Sequence, residues 1–436
     1  MGLDQAEVGL VMIGGLIALL LGGMPIAFAL ALSGIVGLIL ARGWRASEFL
    51  LSSFPYSATA QLTLIIIPLF LFMGHLAFAS GLSAKAFDAA RALVGRVRGG
   101  LAIATVFACG GFATVSGSSV ATAATMARIA IPEMLASGYK RRLAAGCVAA
   151  GGTLGVLIPP SGVLVIYSIA TGAPLTELLI AAVIPGVLTA LAYGVGIHLM
   201  VRMDPASAPA TTMPKLTRRQ RLTALGSSWE LGLLFFIVMG SIYLGFATPT
   251  EAAAVGAFVA LVIAIARSRG KRGKVLKEGL IETGVATSSI FALVIGAGLF
   301  SLGLSTTQIP QDTAAFLAGL DLPPTVILLL ILVPFLVLGA FIDGLSMILL
   351  TMPVVYPVIE QIGVDPILFG ILVTKTTEIG VITPPVGLNV FVVKAAVPNL
   401  PIGEAFRGAA PFVVMELILL GILIAIPELT LGLLPR

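Results

Sequence analysis

The sequence has few charged residues and few of the side chains that carry common enzymatic chemistry. Charged residues make up 10% of the 436-residue chain, which contains two histidines and two cysteines. It has no phosphate-binding GxxxxGK[ST] segment, no HExxH and no nucleophile elbow, which argues against an ATP-driven pump and the common hydrolases. Cys109 and Cys147 lie in apolar surroundings without a CxxC spacing. We expect them to be packing residues, neither metal ligands nor a disulfide. The chain is therefore not expected to be an enzyme.

Hydrophobic residues, in contrast, are abundant. They account for 58% of the chain, and the mean hydropathy is +1.11. Apolar runs of about 20 residues, long enough to cross a bilayer, recur from one end of the sequence to the other. The first residues, MGLDQAE, lack the basic region and cleavage site of a secretory signal, so the first apolar run is expected to be retained. These patterns predict an integral, multi-pass membrane protein.

Basic residues mark the expected cytoplasmic loops. The segments 85–98, 140–142, 202–221 and 267–277 hold 18 of the 25 Lys and Arg residues. Loops rich in Lys and Arg face the cytoplasm in most membrane proteins. These segments lack interleaved aromatic residues and border apolar runs, so nucleic-acid binding is not favoured.

Two related segments, GGTLGVLIPPSG at 151–162 and TTEIGVITPPVG at 376–387, interrupt long apolar stretches. They are identical at five of twelve positions, including both prolines of each pair. Adjacent prolines break a helix because they remove N–H donors and clash with the preceding turn. A break inside hydrocarbon is tolerated where the freed carbonyls face protein, water or an ion. A duplicated break therefore indicates the binding site of a transporter.

The breaks and the basic loops together predict an all-α polytopic membrane protein with an inverted repeat of the elevator type. The first repeat covers 1–201, with a re-entrant hairpin at about 99–134 and a broken helix at 143–170. A basic cytoplasmic linker, 202–227, leads to the second repeat, 228–436. That repeat has a hairpin at about 324–358 and a broken helix at 366–394. The first hairpin is flanked by basic segments and the second is not, so we expect them to enter from opposite sides.

A broken helix exposes carbonyl groups that attract cations and N–H groups that attract anions. Small oxygen-bearing residues lie beside both breaks and at both predicted hairpin tips, which favours a hard cation such as Na⁺. The alternative is that these are ordinary close-packing residues of membrane helices. The candidates are Gly155, Leu157, Ile158, Ser161, Gly380, Ile382, Thr383, Ser116, Gly117, Ser118, Ser119, Asp343, Gly344 and Ser346.

Ionisable residues are costly inside apolar segments and are candidate functional residues by default. Five qualify: Arg128, Asp343, Lys375, Glu378 and Lys394. Lys375 and Glu378 are three residues apart, and neutralising each other is about as plausible as a direct role. Asp343, at a predicted hairpin tip, is the stronger functional candidate, whereas Arg128 and Lys394 can reach the cytoplasmic face.

Four segments in order resemble the large membrane subunit of tripartite ATP-independent periplasmic (TRAP) transporters, essentially from end to end. They are SGSSVATAATMARIAIPEM (116–134), GGTLGVLIPPSGVLVIYSIATG (151–172), ATPTEAAAVGAF (247–258) and TEIGVITPPVGLNVFVVKAAV (377–397). The resemblance implies Na⁺-driven import of a small carboxylate solute across the bacterial inner membrane by an elevator mechanism. A periplasmic substrate-binding protein would deliver the solute. It also implies a separate small four-helix membrane subunit, since the chain is too short to be expected to contain it.

The resemblance also implies the positions of two Na⁺ sites and a solute site. The first Na⁺ site would involve Ser116, Gly155, Ile158 and Ser161, beside Gly117 of the hairpin tip. The second would involve Gly339, Gly380, Thr383 and Val386. The solute would lie between them, near Ser118, Ser119, Asp343, Gly344, Pro160 and Pro385.

Two other interpretations stay open at the level of sequence. One is a stand-alone Na⁺/carboxylate symporter of the same fold, which would need no binding protein. The other is a membrane channel or scaffold, although no ring of charges or repeated filter sequence is present to line a channel.

Overall fold

The computed structural model describes residues 4–209, 217–268, 270, 272–320, 322–397 and 400–434, and all regular secondary structure in this part of the chain is helical. Six helices are long and apolar enough to cross a membrane, or up to eight if each of two bent helix pairs is one span. The predicted all-α membrane architecture is confirmed.

In the described residues of the first half there are eleven α-helices. They are α1 (Gln5–Leu21), α2 (Ile26–Arg42), α3 (Trp44–Thr59), α4 (Ile66–Ala79), α5 (Leu82–Val94), α6 (Gly100–Ser116), α7 (Ser119–Ala136), α8 (Arg141–Leu157), α9 (Gly162–Thr171), α10 (Leu175–Ala181) and α11 (Val183–Met203). The predicted hairpin at 99–134 is the pair α6 and α7, and the predicted broken helix at 143–170 is the pair α8 and α9.

The part of the second half that the structure describes contains twelve α-helices. They are α12 (Arg218–Gly226), α13 (Trp229–Phe235), α14 (Ser241–Tyr243), α15 (Pro249–Arg267), α16 (Arg272–Leu304), α17 (Ile309–Ala318), α18 (Pro324–Gly339), α19 (Gly344–Gln361), α20 (Pro366–Gly380), α21 (Leu388–Ala396), α22 (Ile402–Ala425) and α23 (Glu428–Leu431). A π-helical segment, Phe236–Gly240, joins α13 to α14. Here the predicted hairpin is α18 and α19, and the predicted broken helix is α20 and α21.

Glycine allows close helix packing between α2 and α16. A Cβ on Gly296 would lie 2.2 Å from the carbonyl oxygen of Ala27, and one on Gly34 would lie 2.4 Å from the carbonyl carbon of Leu299. Backbones approach this closely only where side chains are absent, as is usual between membrane helices. α4 packs in turn along α15. We refer to α2, α4, α15 and α16 as the scaffold helices.

Of the described helices, four were not predicted from sequence: α3, α17, α12, which lies in the predicted linker, and α23, which has four residues. α3 contains Pro55 and exposes most of its residues, and α17 is short. Neither has the continuous apolar run that signals a span, so a search for such runs passes over both. The apolar run at 280–304 predicts a membrane span, and α16, which contains it, begins earlier, at Arg272, because its polar first turns continue the same helix. The inverted relationship of the two halves stays a prediction.

Candidate functional site

The first break separates α8 from α9, which are bent by 42° relative to each other. α8 ends at Leu157, and the next residues include a cis Pro159–Pro160 peptide bond. Ser161 then caps α9, because its Oγ accepts a hydrogen bond from the Leu164 N–H at 3.3 Å. Since a capping side chain satisfies one free N–H at a helix start, the chain re-enters a helix directly after the prolines.

The second break, between α20 and α21, also contains two prolines but has no side-chain cap at the start of its second helix. It contains a cis Pro384–Pro385 peptide bond, and Gly387 adopts a φ of 57° before α21 begins. The N–H of Gly387 donates to the carbonyl of Ala340, at the tip of the second hairpin, at 3.1 Å. The Thr383 hydroxyl donates to the carbonyl of Ile379 at 2.5 Å. This break is therefore hydrogen-bonded to a hairpin.

The first hairpin tip lies directly against the first break. A Cβ on Gly155 would lie 2.6 Å from the carbonyl oxygen of Ser118, and one on Gly117 would lie 3.0 Å from that of Pro160. The Ser116 and Thr122 hydroxyls are 2.7 Å apart and buried. Tip and break thus bring together residues of the first predicted Na⁺ site. Thr122 was not singled out from the sequence, because one threonine on a helix carries no signal until its neighbours are known.

The second hairpin tip and the second break form a similar pair. A Cβ on Gly380 would lie 2.4 Å from the carbonyl carbon of Gly339. A Cβ on Gly344 would lie 2.5 Å from Cγ2 of Thr377, which precedes the break. Gly339, Gly380 and Thr383 therefore lie in one region. Val386 lies in the same break and is half-buried, but no described contact of its side chain joins it to the hairpin.

Both carboxylate oxygens of Asp343 accept hydrogen bonds from residues of its own hairpin. Its Oδ1 accepts from the N–H groups of Leu345 at 3.0 Å and Ser346 at 3.2 Å, and its Oδ2 accepts from the Ser346 hydroxyl at 2.6 Å. An aspartate in this position caps α19. The structure therefore gives Asp343 a definite capping role at the second tip, beside any role towards a solute.

A cavity of about 490 Å³ lies between these elements and the scaffold helices α2, α4 and α16. Of the predicted site residues, it is lined by Ser116, Gly117, Ser118, Ser119, Asp343 and Gly344. The lining does not include Gly155, Ile158, Pro160, Ser161, Gly339, Gly380, Thr383, Pro385 or Val386. The hairpin tips thus face the cavity, whereas most break residues lie behind them.

Four helix N-termini reach this cavity. α7, α9, α19 and α21 each place a residue of their first turn in its wall: Ser119, Gly162, Gly344 and Leu388. None of the described lining residues is Lys, Arg or His, although Asp343 and Glu378 are among them. The N–H groups at helix starts carry partial positive charge and attract anions. The positively polarised groups beside this cavity are therefore backbone N–H groups, two of which already donate to Asp343.

Lys375 lies at the centre of a buried polar network behind the cavity. Its Nζ lies 3.0 Å from Glu378 Oε2 and 2.5 Å from Glu416 Oε2, and it donates to the Thr189 hydroxyl at 2.6 Å. Lys375 and Glu378 thus contact each other, as one of the two alternatives from the sequence requires, and a second carboxylate, Glu416, shares the lysine. Glu416 was missed because no local motif marks it. Arg128 is exposed and Lys394 is half-buried.

In the part of the chain that the structure describes, no group of three or more His, Cys, Asp or Glu residues could hold a metal ion. The first break and its hairpin tip offer neutral oxygens, including the hydroxyls of Ser116 and Thr122, and hard cations prefer oxygen ligands.

Comparison with known proteins identifies the family. Residues 13–429 match the family model of the DctM component of tripartite ATP-independent periplasmic transporters. The C4-dicarboxylate TRAP transporter large permease protein DctM of Pseudomonas aeruginosa is 40% identical over 87% of each chain. The sialic acid TRAP transporter large permease protein SiaM of Vibrio cholerae is 32% identical over 96% of each. The ectoine TRAP transporter large permease protein TeaC of Halomonas elongata is 31% identical over 97% of each.

Solved structures agree on the fold. The YdaH transporter of Alcanivorax borkumensis superposes with a TM-score of 0.65 at 16% identity, covering 89% of this chain and 90% of that chain. This likeness concerns architecture alone. Taken with the family match, it makes the chain a transporter subunit of the bacterial inner membrane, and the protein belongs to the family of TRAP transporter large permease subunits.

Proposed function

We propose that this subunit imports a carboxylate-bearing solute in a Na⁺-driven, binding-protein-dependent manner, by an elevator movement. The observation that carries the proposal is the paired arrangement of each helix break against a hairpin tip, around one cavity. A broken helix in each half, pointing at a common cavity, is the arrangement by which many secondary transporters hold solute and coupling ion together.

The oxygen atoms at the two breaks support Na⁺ as the coupling ion. At the first break, the carbonyl oxygens of Ser118 and Pro160 and the hydroxyls of Ser116 and Thr122 lie close to the end of α8. At the second, the carbonyls of Gly339 and Ala340 meet the end of α20. Helix C-termini carry partial negative charge, which adds to the attraction for a cation.

The four helix N-termini support an anionic solute. They lie at a cavity whose described lining has no basic side chain, so a carboxylate could be held by backbone donors that the capping side chains, such as Asp343 on α19, leave free. A bound Na⁺ nearby would offset the charges of Asp343 and the solute. The large permease relatives named for C4-dicarboxylates and for sialic acid point to the same solute class.

The position of the cavity supports an elevator. Its walls come on one side from the hairpins and broken helices, and on the other from α2, α4 and α16. If the first group slides past the second as a body, the cavity is carried from one face of the membrane to the other. The separate small membrane subunit would then enlarge the stationary side.

The test is uptake by proteoliposomes that contain this chain with its small four-helix subunit, supplied with the periplasmic binding protein. A panel of radiolabelled carboxylates is offered with and without an inward Na⁺ gradient. Uptake that needs both Na⁺ and the binding protein supports the proposal and identifies the solute. Na⁺-dependent uptake without the binding protein would instead favour a stand-alone symporter, and uptake insensitive to any ion gradient would contradict coupling.

A further inference from the structure

The buried polar network around Lys375 reaches both broken helices. The Lys375 network consists of Lys375 and Glu378 on α20, Glu416 on α22, Thr189 and Tyr193 on α11, and Thr153 on α8. Every member is at most 1% exposed. Three ionisable groups in so dry an environment are costly unless each contact is kept. The network is therefore expected to hold its four helices in a fixed relative position.

Each end of the network lies beside one break. On α20, Glu378 precedes Gly380 by two residues, and Gly380 packs on the second hairpin. On α8, Thr153 precedes Gly155 by two residues, and Gly155 packs on the first hairpin. The same chain of polar contacts thus ends next to both hairpin contacts.

Tyr193 is the only member described as contacting both α8 and Glu416. Its hydroxyl donates to Glu416 Oε1 and lies 3.3 Å from the Thr153 hydroxyl. Glu416 in turn shares Lys375 with Glu378. Removing the Tyr193 hydroxyl would remove the side-chain link between Thr153 on α8 and Glu416 on α22, while the direct packing of α8 on α20 and the side chains of Lys375, Glu378 and Glu416 stay in place.

Glu378 also has an unpartnered atom at the cavity end of this path. Its Oε1 is buried and makes no hydrogen bond, and Glu378 is among the residues of the cavity wall. A buried oxygen without a donor costs about 1–3 kcal/mol in general. The network is therefore incompletely satisfied at the end near the second break, where a small shift of α20 would change its contacts.

We propose that the Lys375 network is a positioning device that couples the two breaks, so that cation binding at one raises the cation affinity of the other. This inference rests on the proposed Na⁺ coupling. Lys375, Glu416 and Tyr193 act through α8 and α20 and touch neither ion. Substitutions along a coupling network change the coupling by about two- to thirty-fold in affinity.

The test compares Tyr193→Phe with wild type in proteoliposomes containing the complete transporter. We expect Tyr193→Phe to raise the Na⁺ concentration for half-maximal uptake by about two- to thirty-fold and to lower its Hill coefficient. The KM for solute at saturating Na⁺ should stay unchanged. Tyr243→Phe is the matched control, because that hydroxyl donates to the carbonyl of Leu179, outside the network, at 3.4 Å.

A second variant separates coupling from stability. Lys375→Met alone would leave two buried carboxylates and is expected to abolish folding. The triple variant Lys375→Met/Glu378→Gln/Glu416→Gln removes all three charges, and we expect it to fold and to lose Na⁺ cooperativity. Wild-type Na⁺ cooperativity in Tyr193→Phe and in the folded triple variant would overturn the inference. Na⁺-independent uptake by the wild-type transporter would instead contradict the proposed Na⁺ coupling on which this inference rests.

Discussion

Gly380 and Gly339 meet so closely that a single methyl group on Gly380 would lie 2.4 Å from the carbonyl carbon of Gly339. The neighbouring atoms are backbone and cannot rotate away. We predict that Gly380→Ala displaces the second break from its hairpin. Overpacking of this kind costs about 1–3 kcal/mol, or roughly 5- to 150-fold in an equilibrium. The Na⁺ concentration that half-maximally stabilises the purified complex against heat should rise by such a factor.

The control for this variant is Gly421→Ala, since a Cβ there would meet nothing within 4 Å. It should behave as wild type in the same thermal assay. Unchanged Na⁺ stabilisation in Gly380→Ala would show that the close contact has no part in cation binding.

Ser116 offers a buried hydroxyl at the first break, paired with Thr122 at 2.7 Å. If this hydroxyl contacts Na⁺, Ser116→Ala removes a hydrogen-bonding or ligating group next to a charge, worth about 1.5–3 kcal/mol. The Na⁺ concentration for half-maximal uptake should increase at least about ten-fold. Ser33→Ala is the matched control, because Ser33 is also buried and donates to the Met12 carbonyl, away from the breaks. Equal Na⁺ dependence in the two variants would argue against Ser116 as a ligand.

Asp343 can be tested for its two roles separately. Asparagine keeps an oxygen that can cap α19, whereas alanine does not, and loss of a cap costs about 0.5–2 kcal/mol. If capping is its main role, Asp343→Asn should keep uptake near wild type and Asp343→Ala should lower both thermal stability and uptake. A complete loss of uptake in Asp343→Asn, with normal thermal stability, would show that the negative charge itself is needed.

The contact of Gly296 with the Ala27 carbonyl predicts a different outcome in the scaffold. Gly296→Ala would place a Cβ 2.2 Å from a backbone oxygen, so α2 and α16 must separate. We expect a loss of about 1–3 kcal/mol in stability, seen as a lower melting temperature in detergent. The Na⁺ concentration for half-maximal uptake by the variant protein that folds should be the same as in wild type. Gly14→Ala, where a Cβ would meet nothing, serves as the control.

The breaks and hairpins could be predicted because their signals are local. Two prolines in a row stop a helix wherever they occur, and the segment around Gly117 combines a left-handed glycine with a serine cap. The cap at Asp343 has a similarly local origin. Both hairpins and both broken helices therefore follow from short stretches of sequence. The contact of each tip with its break was reached only through the family resemblance.

The Lys375 network could not be predicted, for the opposite reason. Lys375 contacts Thr189 across 186 positions, and Tyr193 contacts Glu416 across 223. Nothing near Glu416 in the sequence marks it as the second partner of a lysine on another helix. Only the folded arrangement of α11, α20 and α22 shows that these side chains meet. α3 and α17 were missed because they lack a long apolar run.

The absence of basic side chains from the described cavity lining has a consequence for how selectivity can change. A backbone N–H group does not titrate, and most side-chain substitutions leave it in place. The attraction of the helix starts for negative charge therefore persists as long as the fold is kept. Residues such as Ala286, Ser289 and Leu293, which line the wall opposite the hairpins, can then be exchanged for size and shape while that attraction persists. A transporter of this kind can therefore change its solute through substitutions in the cavity wall formed by α16, while the backbone groups that recognise the solute's negative charge stay the same.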